Sequence, residues 1–140
     1  MSSLFVDTSG WANGFVASET YHAQAQQYIR DAWQSRFPLI TTSYIVAELV
    51  SLLQSPLRIP RNTIFQVVDS IRQSDHIQVI HITLEIDAAA WALCKVRPDK
   101  IWSLVDCSSF VVMQQMDLQS ALITDQHFEQ AGFVRLLKPE

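Results

Sequence analysis

Short β-like apolar runs alternate along this chain with segments of helical length, and that alternation leaves few folds open. Leu4–Val6, Pro38–Thr41, Ile77–Ile82, Ala121–Thr124 and Phe133–Leu137 read as strands. Between them, Gly10–Ala17, Thr20–Gln34, Ser43–Gln54, a segment from Pro60 to about Gln73, one after Thr83 to about Val96, and one after Ser103 to about Met116 read as helices. Ser43, Thr83 and Ser103 are the expected N-caps, and Pro60 suits the first turn of its helix. Residues 97–99 and 125–132 are read as turns. Strands alternating with helices imply an α/β fold with a mostly parallel central sheet covered on both faces. In such sheets ligands bind beyond the carboxyl ends of the strands, where the strand order reverses.

A length of 140 residues suits one domain spanning 1–140. With 49% hydrophobic and 17% charged residues the chain has the material for a sizeable core and not the composition of a disordered segment. No apolar run reaches the length of a membrane span, and the start, Met1 to Asp7, lacks the basic and apolar regions of a signal peptide. Cys94 and Cys107 lie in apolar helical contexts and read as free thiols of a reducing cytosol, so a cytoplasmic protein is expected. His22, His76, His81 and His127 show no metal-finger spacing with them. The net charge of −4 argues against a protein held on nucleic acid mainly by phosphate attraction, although an acidic pocket filled by a cation presents a different sign.

Four acids stand in improbable places. Asp7 follows the first strand and Asp125 the fourth, so both belong to the sheet edge where sites form. Glu48 is the only charge between Ser43 and Gln54, and Asp106 the only one between Ser103 and Met116. A carboxylate drawn into a sheet-packed helix is costly unless compensated, and a cation compensates it well. Clustered carboxylates select hard ions, which makes Mg²⁺ or Mn²⁺ the natural choice over zinc. Each acid also has an ordinary reading. Asp7 would cap the following helix, Asp125 would shape a turn, Asp106 has capping-box spacing from Ser103, and Glu48 shares a stripe with Tyr44, Ser51 and Ser55 that faces water. One metal site explains all four positions together.

The neighbours fit either view. Thr8, Ser9, Ser103 and Thr124 would orient a carboxylate or hold a metal-bound water, while for Thr8 and Ser103 an ordinary structural role is the better reading. His127, two residues past Asp125, would touch a scissile phosphate or position the turn. Trp102 would pack in the core or stack a base. Arg58, Arg61, Arg97 and Lys100 would meet phosphates or serve as solvated surface charge.

The stretches Phe5-Val6-Asp7-Thr8-Ser9, Val46-Ala47-Glu48-Leu49, Ser103-Leu104-Val105-Asp106-Cys107-Ser108-Ser109-Phe110 and Leu122-Ile123-Thr124-Asp125-Gln126-His127-Phe128 resemble, in order and spacing over essentially the whole chain, the PIN-domain family, and within it the small VapC-type toxins of bacterial toxin–antitoxin pairs. Two positions depart from the family's usual pattern: Ile123 stands where a hydroxyl residue is common, and Gln126 where a basic one is frequent. The resemblance implies a three-layer α/β/α fold and a Mg²⁺- or Mn²⁺-dependent endoribonuclease, with Asp7, Glu48, Asp106 and Asp125 as the catalytic and metal residues. It also implies a homodimer with RNA as substrate and a small antitoxin as partner. The competing expectations are a catalytically silent PIN-like binding module and a receiver-like signalling domain. The single Asp7 at the first strand end, without an adjacent acid, speaks against the latter, and Ser9 two residues on speaks against an aspartyl phosphatase.

Overall fold

The computed structural model describes residues 3–140; Met1 and Ser2, where the reading of the chain's start begins, lie outside the described residues. Strands β1 (Phe5–Val6), β2 (Leu39–Thr42), β3 (Ile77–Ile80), β4 (Ser120–Leu122) and β5 (Val134–Arg135) alternate with helices α1 (Thr8–Phe15), α2 (His22–Gln34), α3 (Ser43–Gln54), α4 (Arg61–Gln73), α5 (Leu84–Val96), α6 (Leu104–Gln115) and α7 (His127–Gln130). The five strands form one sheet in the order β3-β2-β1-β4-β5, with every pairing parallel. From β1 the chain steps outward one way through β2 and β3, crosses back, and steps the other way through β4 and β5. With right-handed crossovers, α1 to α4 cover one face and α5 to α7 the other. Most helix contacts follow that division: α1 packs on α2 and α3, α3 on α4, α5 on α6, and α6 on α7, while α3 also meets α6 across it.

The expected α/β architecture is therefore present, and its departures from expectation are local. Helix α1 starts at Thr8, directly after Asp7, and not at Gly10. The N-cap of α3 is Thr42, whose hydroxyl accepts from the Ile45 N–H at 3.1 Å. Ser43 is the first helical residue, and its hydroxyl accepts instead from the Ile82 N–H at 3.0 Å, fastening the end of β3 to α3. Pro60 is the N-cap residue of α4 and not part of its first turn. Residues 125–132, read as a turn, contain the four-residue helix α7. Strand β4 stops at Leu122, so Asp125 lies three residues beyond it. Thr83 and Ser103 cap α5 and α6 as expected.

The centre of the sheet is dry. Phe5 and Val6 of β1 are fully buried, as are Leu39 of β2 and Ala121 and Leu122 of β4. Trp11 of α1 lies in this core and satisfies its indole N–H by donating to the Thr41 hydroxyl at 3.0 Å, which in turn donates to the Val6 carbonyl at 2.9 Å. On the other face, Phe128 of α7 meets Phe110 of α6 edge-on at 4.9 Å between ring centroids, and Trp102 meets Phe110 at 5.0 Å, also edge-on. Trp102 is thus a packing residue.

Gly10 sets how closely α1 approaches β4. A Cβ at this position would stand 2.1 Å from the Leu122 carbonyl oxygen and 3.0 Å from a Val6 methyl. Replacing it should force the start of α1, and Asp7 with it, away from the sheet. Gly10→Ala is expected to destabilise the protein by roughly 3 kcal/mol, the upper end of overpacking effects. Gly14→Ala, which meets only the end of the Ile29 side chain, should be milder. Urea unfolding of the two variants measures this, and equal midpoints would show that the approach at Leu122 is not rigid.

Candidate active site

The strand order reverses between β1 and β4, because the connection from β1 leads to one side of the sheet and that from β4 to the other. This is the switch point at which open α/β sheets bind ligands. Asp7 sits there, one residue past β1. Its N–H donates to the Leu122 carbonyl at 3.3 Å and its carbonyl accepts from the Trp11 N–H at 3.1 Å, so its backbone joins sheet to helix. It occupies the N-cap position of α1 but makes no side-chain cap hydrogen bond. The capping explanation of Asp7 therefore fails. The carboxylate is only 5% exposed, and Oδ1 is buried without a hydrogen-bond partner.

Burial first, and then the charges of Glu48, Asp106 and Asp125, hold the Asp7 carboxyl well above the ordinary carboxylate range; a backbone hydrogen bond from Thr8 opposes them. The fold thus brings the electric fields of three acids to bear on the fourth, although the four come from separate segments.

Asp106 fills the third position of α6 and completes a capping box. Its N–H donates to the Ser103 hydroxyl at 3.0 Å, and its Oδ2 accepts from the Ser103 N–H at 3.1 Å. The structural reading of Asp106 is correct, and it does not compete with a site role. The cap fixes the rotamer and leaves the buried carboxylate at the sheet edge. The same Oδ2 lies 2.9 Å from Nδ1 of His127, so with Asp106 ionised Nδ1 carries the proton. The His127 N–H donates to Asp125 Oδ1 at 2.9 Å. Asp125 therefore does shape its turn, as its ordinary reading held, and His127 clamps the two acids to one another.

Glu48 is on an exposed face of α3, in line with its ordinary reading. It is nevertheless held toward Asp7, because the buried Thr8 hydroxyl donates to Glu48 Oε1. The sequence offered no reason to favour Thr8 over an ordinary helix residue; the pairing crosses forty positions of chain and exists only once α1 lies against α3. Ser9 is the companion contact, its hydroxyl accepting from the Thr124 N–H at 3.1 Å. Arg135, which sequence reasoning missed, donates to the Thr124 carbonyl at 2.8 Å and secures the loop before Asp125 from the far side. Of the cations expected to meet phosphates, Arg97 is committed to Asp99 through two contacts of 3.0 Å. Arg61 donates to Gln54 at 2.8 Å and leans over Phe65.

A cation fits this arrangement. The donor set is all oxygen, and the buried, unpartnered Oδ1 of Asp7 is the kind of group that a bound ion satisfies. Among the described residues no three acidic, histidine or cysteine side chains close into a compact ligand cage. A cavity of about 270 Å³ is bordered by Ser9 and Thr124, together with Asn13, Glu19 and Leu52, but by none of the four acids. A larger cavity, about 610 Å³, is bordered by Gln24, Tyr28, Asp31 and Lys138 and likewise includes none of the four.

A parallel five-stranded sheet with acids gathered at its switch point defines a class of protein. The PIN domain family matches residues 4–134, and the chain belongs to that family. At the level of single proteins, it is 32% identical over 138 residues to the 23S rRNA-specific endonuclease VapC20 of Mycobacterium tuberculosis, in two strains, with 98% of this chain and 99% of the relative covered. The crystal structure of VapC20, a Sarcin-Ricin loop cleaving toxin, matches with a TM-score of 0.82 at 28% identity, covering 94% of this chain and 96% of that one. The resemblance seen in the four motifs is met in family and in fold. The receiver-like alternative falls, since the sheet order here is not the 2-1-3-4-5 of that class.

The raised Asp7 pKa makes stability pH-dependent in a definite direction. The folded state holds the Asp7 proton more tightly than the unfolded state does. This contribution is complete below the unfolded carboxylate pKa and is lost as pH rises through the folded one. Asn at this position cannot ionise. In EDTA, Asp7→Asn should therefore gain stability over the wild type as pH rises from about 4 toward neutrality, by at most about 1.4 kcal/mol per pH unit. Urea midpoints of both proteins across that range test it. A gap that stays constant with pH would mean that the carboxylate is not desolvated.

Proposed function

We propose that this chain is a divalent-metal-dependent endoribonuclease, the toxin of a toxin–antitoxin pair. The observation that carries the reading is the buried Asp7 carboxylate with an unpartnered oxygen, under the combined field of Glu48, Asp106 and Asp125 at the switch point. The relatives support the RNA-cutting reading through their names and full-length similarity, and the structured ribosomal RNA loop that VapC20 cleaves is the natural first substrate to try. The helices of the described residues include none long and apolar enough to cross a membrane. We place the protein in the cytoplasm, as one domain and as a homodimer, with a small antitoxin blocking the site when it is silent.

Asp7, Asp106 and Asp125 would hold Mg²⁺ or Mn²⁺, directly or through water. When bound, such an ion neutralises charge on the phosphate and makes a coordinated water more acidic near neutral pH. The protein's own groups do the rest. Glu48, fixed at Oε1 by Thr8, presents its other oxygen for ligation or to take a proton from the attacking water. His127 and the Ser103 cap keep Asp106 in one rotamer, and the turn at His127 keeps Asp125 beside it. In-line attack at phosphorus would leave a 5′-phosphate and a 3′-hydroxyl.

Purified protein free of antitoxin should cut a 23S rRNA fragment carrying the sarcin–ricin loop in millimolar Mg²⁺ or Mn²⁺, and stop in EDTA. Asp7→Asn and Asp106→Asn should lower the rate by roughly a hundredfold or more. The same ions should raise the melting temperature of the wild type, since a ligand bound only by the native state adds stability, and should leave Asp7→Asn almost unmoved. Ion-dependent stabilisation without cleavage of any RNA would favour the silent binding module, while cleavage that survives both substitutions would displace the acids from the mechanism.

A further inference from the structure

The chain's two cysteines lie together beside the site without being part of it. Cys94 is on α5 and half-buried; Cys107 is on α6, fully buried, and next in sequence to Asp106. Their sulfurs are 3.0 Å apart, with Cys94 as donor. The Cys94 thiol also reaches the Ser103 carbonyl at 3.8 Å, and that carbonyl accepts from the Cys107 N–H at 3.0 Å. The pair thus touches the same residue whose hydroxyl and N–H hold the Asp106 cap. Both thiols are free in the structure.

We propose that Cys94 and Cys107 form a reversible redox switch, an intramolecular disulfide that ties α5 to α6 and turns down the acid site. A peroxide is the oxidant. The Cys94 sulfur, the more accessible of the two, attacks one peroxide oxygen; the O–O bond breaks, one water departs, and Cys94 becomes a sulfenic acid. The Cys107 sulfur then attacks the Cys94 sulfur. The S–S bond forms, the S–O bond breaks, and the oxygen leaves as a second water with the Cys107 thiol proton. Two thiols lose two electrons and the peroxide is reduced to two waters. A dithiol reductant reverses the state by exchange. In a reducing compartment such a disulfide is transient, the pattern of a sensor and not of a staple.

The coupling to the site is geometric. Bonding distance is about 2.0 Å, so the sulfurs must close by about 1 Å. Cys107 belongs to the first turn of α6, and moving it disturbs the cap on Ser103 and swings Asp106 relative to His127. A displacement of that size at a reacting centre lowers rates by about a hundredfold in unfavourable cases. The effect on RNA cutting rests on the nuclease reading above; formation of the disulfide does not.

The test uses the full-length protein, with peroxide as the probe. Oxidation should remove two hydrogens by intact mass, block both cysteines from alkylation, and leave a monomer on a non-reducing gel. RNA cutting should fall roughly tenfold or more and return with dithiothreitol, while Cys94→Ser keeps cutting at the same peroxide dose. The imidazole NMR signal of His127, which reads the site without RNA, should shift on oxidation of the wild type and stay in place in Cys94→Ser. Persistent free thiols, irreversible oxygen addition, or a disulfide that changes neither cutting nor the His127 signal would overturn the switch. If the reduced protein cuts no RNA, the nuclease reading fails by itself and the His127 signal decides the switch.

Discussion

Desolvation of one carboxylate governs this molecule. Asp7 is placed one residue past a central strand whose side chains are wholly buried, and its backbone bonds both to β4 and to α1. The chain cannot move the carboxylate into water without dismantling the contact between α1 and β4, a contact so close that Gly10 leaves no room for a Cβ against Leu122. Burying a charge without a partner is unfavourable, and three more acids add repulsion. The surrounding core, with Trp11 tied through Thr41 to Val6, provides the rigidity that holds the charge in place. On the proposed reading a bound cation would relieve that unfavourable interaction, and ion affinity would be a consequence of the fold and not an addition to it.

The other acids are supported by local devices that also have structural uses. Asp106 is held by a capping box, Asp125 by the turn that leads into α7, and Glu48 by the Thr8 hydroxyl. Capping and catalysis are often weighed as alternatives. On the proposed reading they would cooperate: the cap immobilises the carboxylate through one oxygen, as the preorganisation of a site requires. His127 joins two of these devices, since its imidazole meets Asp106 while its N–H meets Asp125.

The fold was legible because period and punctuation agreed. Short apolar runs marked the strands, and Thr83 and Ser103 announced their helices by cap chemistry. Errors came where two residues offered the same chemistry or an element was too short for a period. Thr42 and Ser43 are both capping types, and only the bond from Ile82 to Ser43 decides between them. Helix α7 has four residues, barely one turn. In the site, Glu48 and Asp106 were visible as lone charges in apolar helices and Asp7 and Asp125 as acids following strands, and the motifs they sit in pointed to the family that the chain matches. Thr8 and Ser9 were named as hydroxyls able to orient a carboxylate, but the groups they bond to were not visible, and Arg135 was not singled out. Their hydrogen bonds to Glu48, Thr124 and Thr124 again join segments forty or more positions apart in two cases and eleven in the third, and no periodicity encodes them.

The sign of the charge orders the events of the proposed reaction. The chain carries −4 overall, and its site gathers four carboxylates. Arg97, a cation near the entry to α6, is neutralised by Asp99. A phosphodiester approaching the bare site meets repulsion of its own sign, and the field of the protein offers little long-range attraction to replace it. A divalent ion held by Asp7, Asp106 and Asp125 would reverse the local potential where the scissile phosphate must rest, and on this reading it would have to be in place before the RNA. By the same argument a partner that silences the site does best by presenting a cation of its own, an arginine or lysine side chain, to the unpartnered oxygen of Asp7. It would then compete with the metal for the interaction on which the architecture turns.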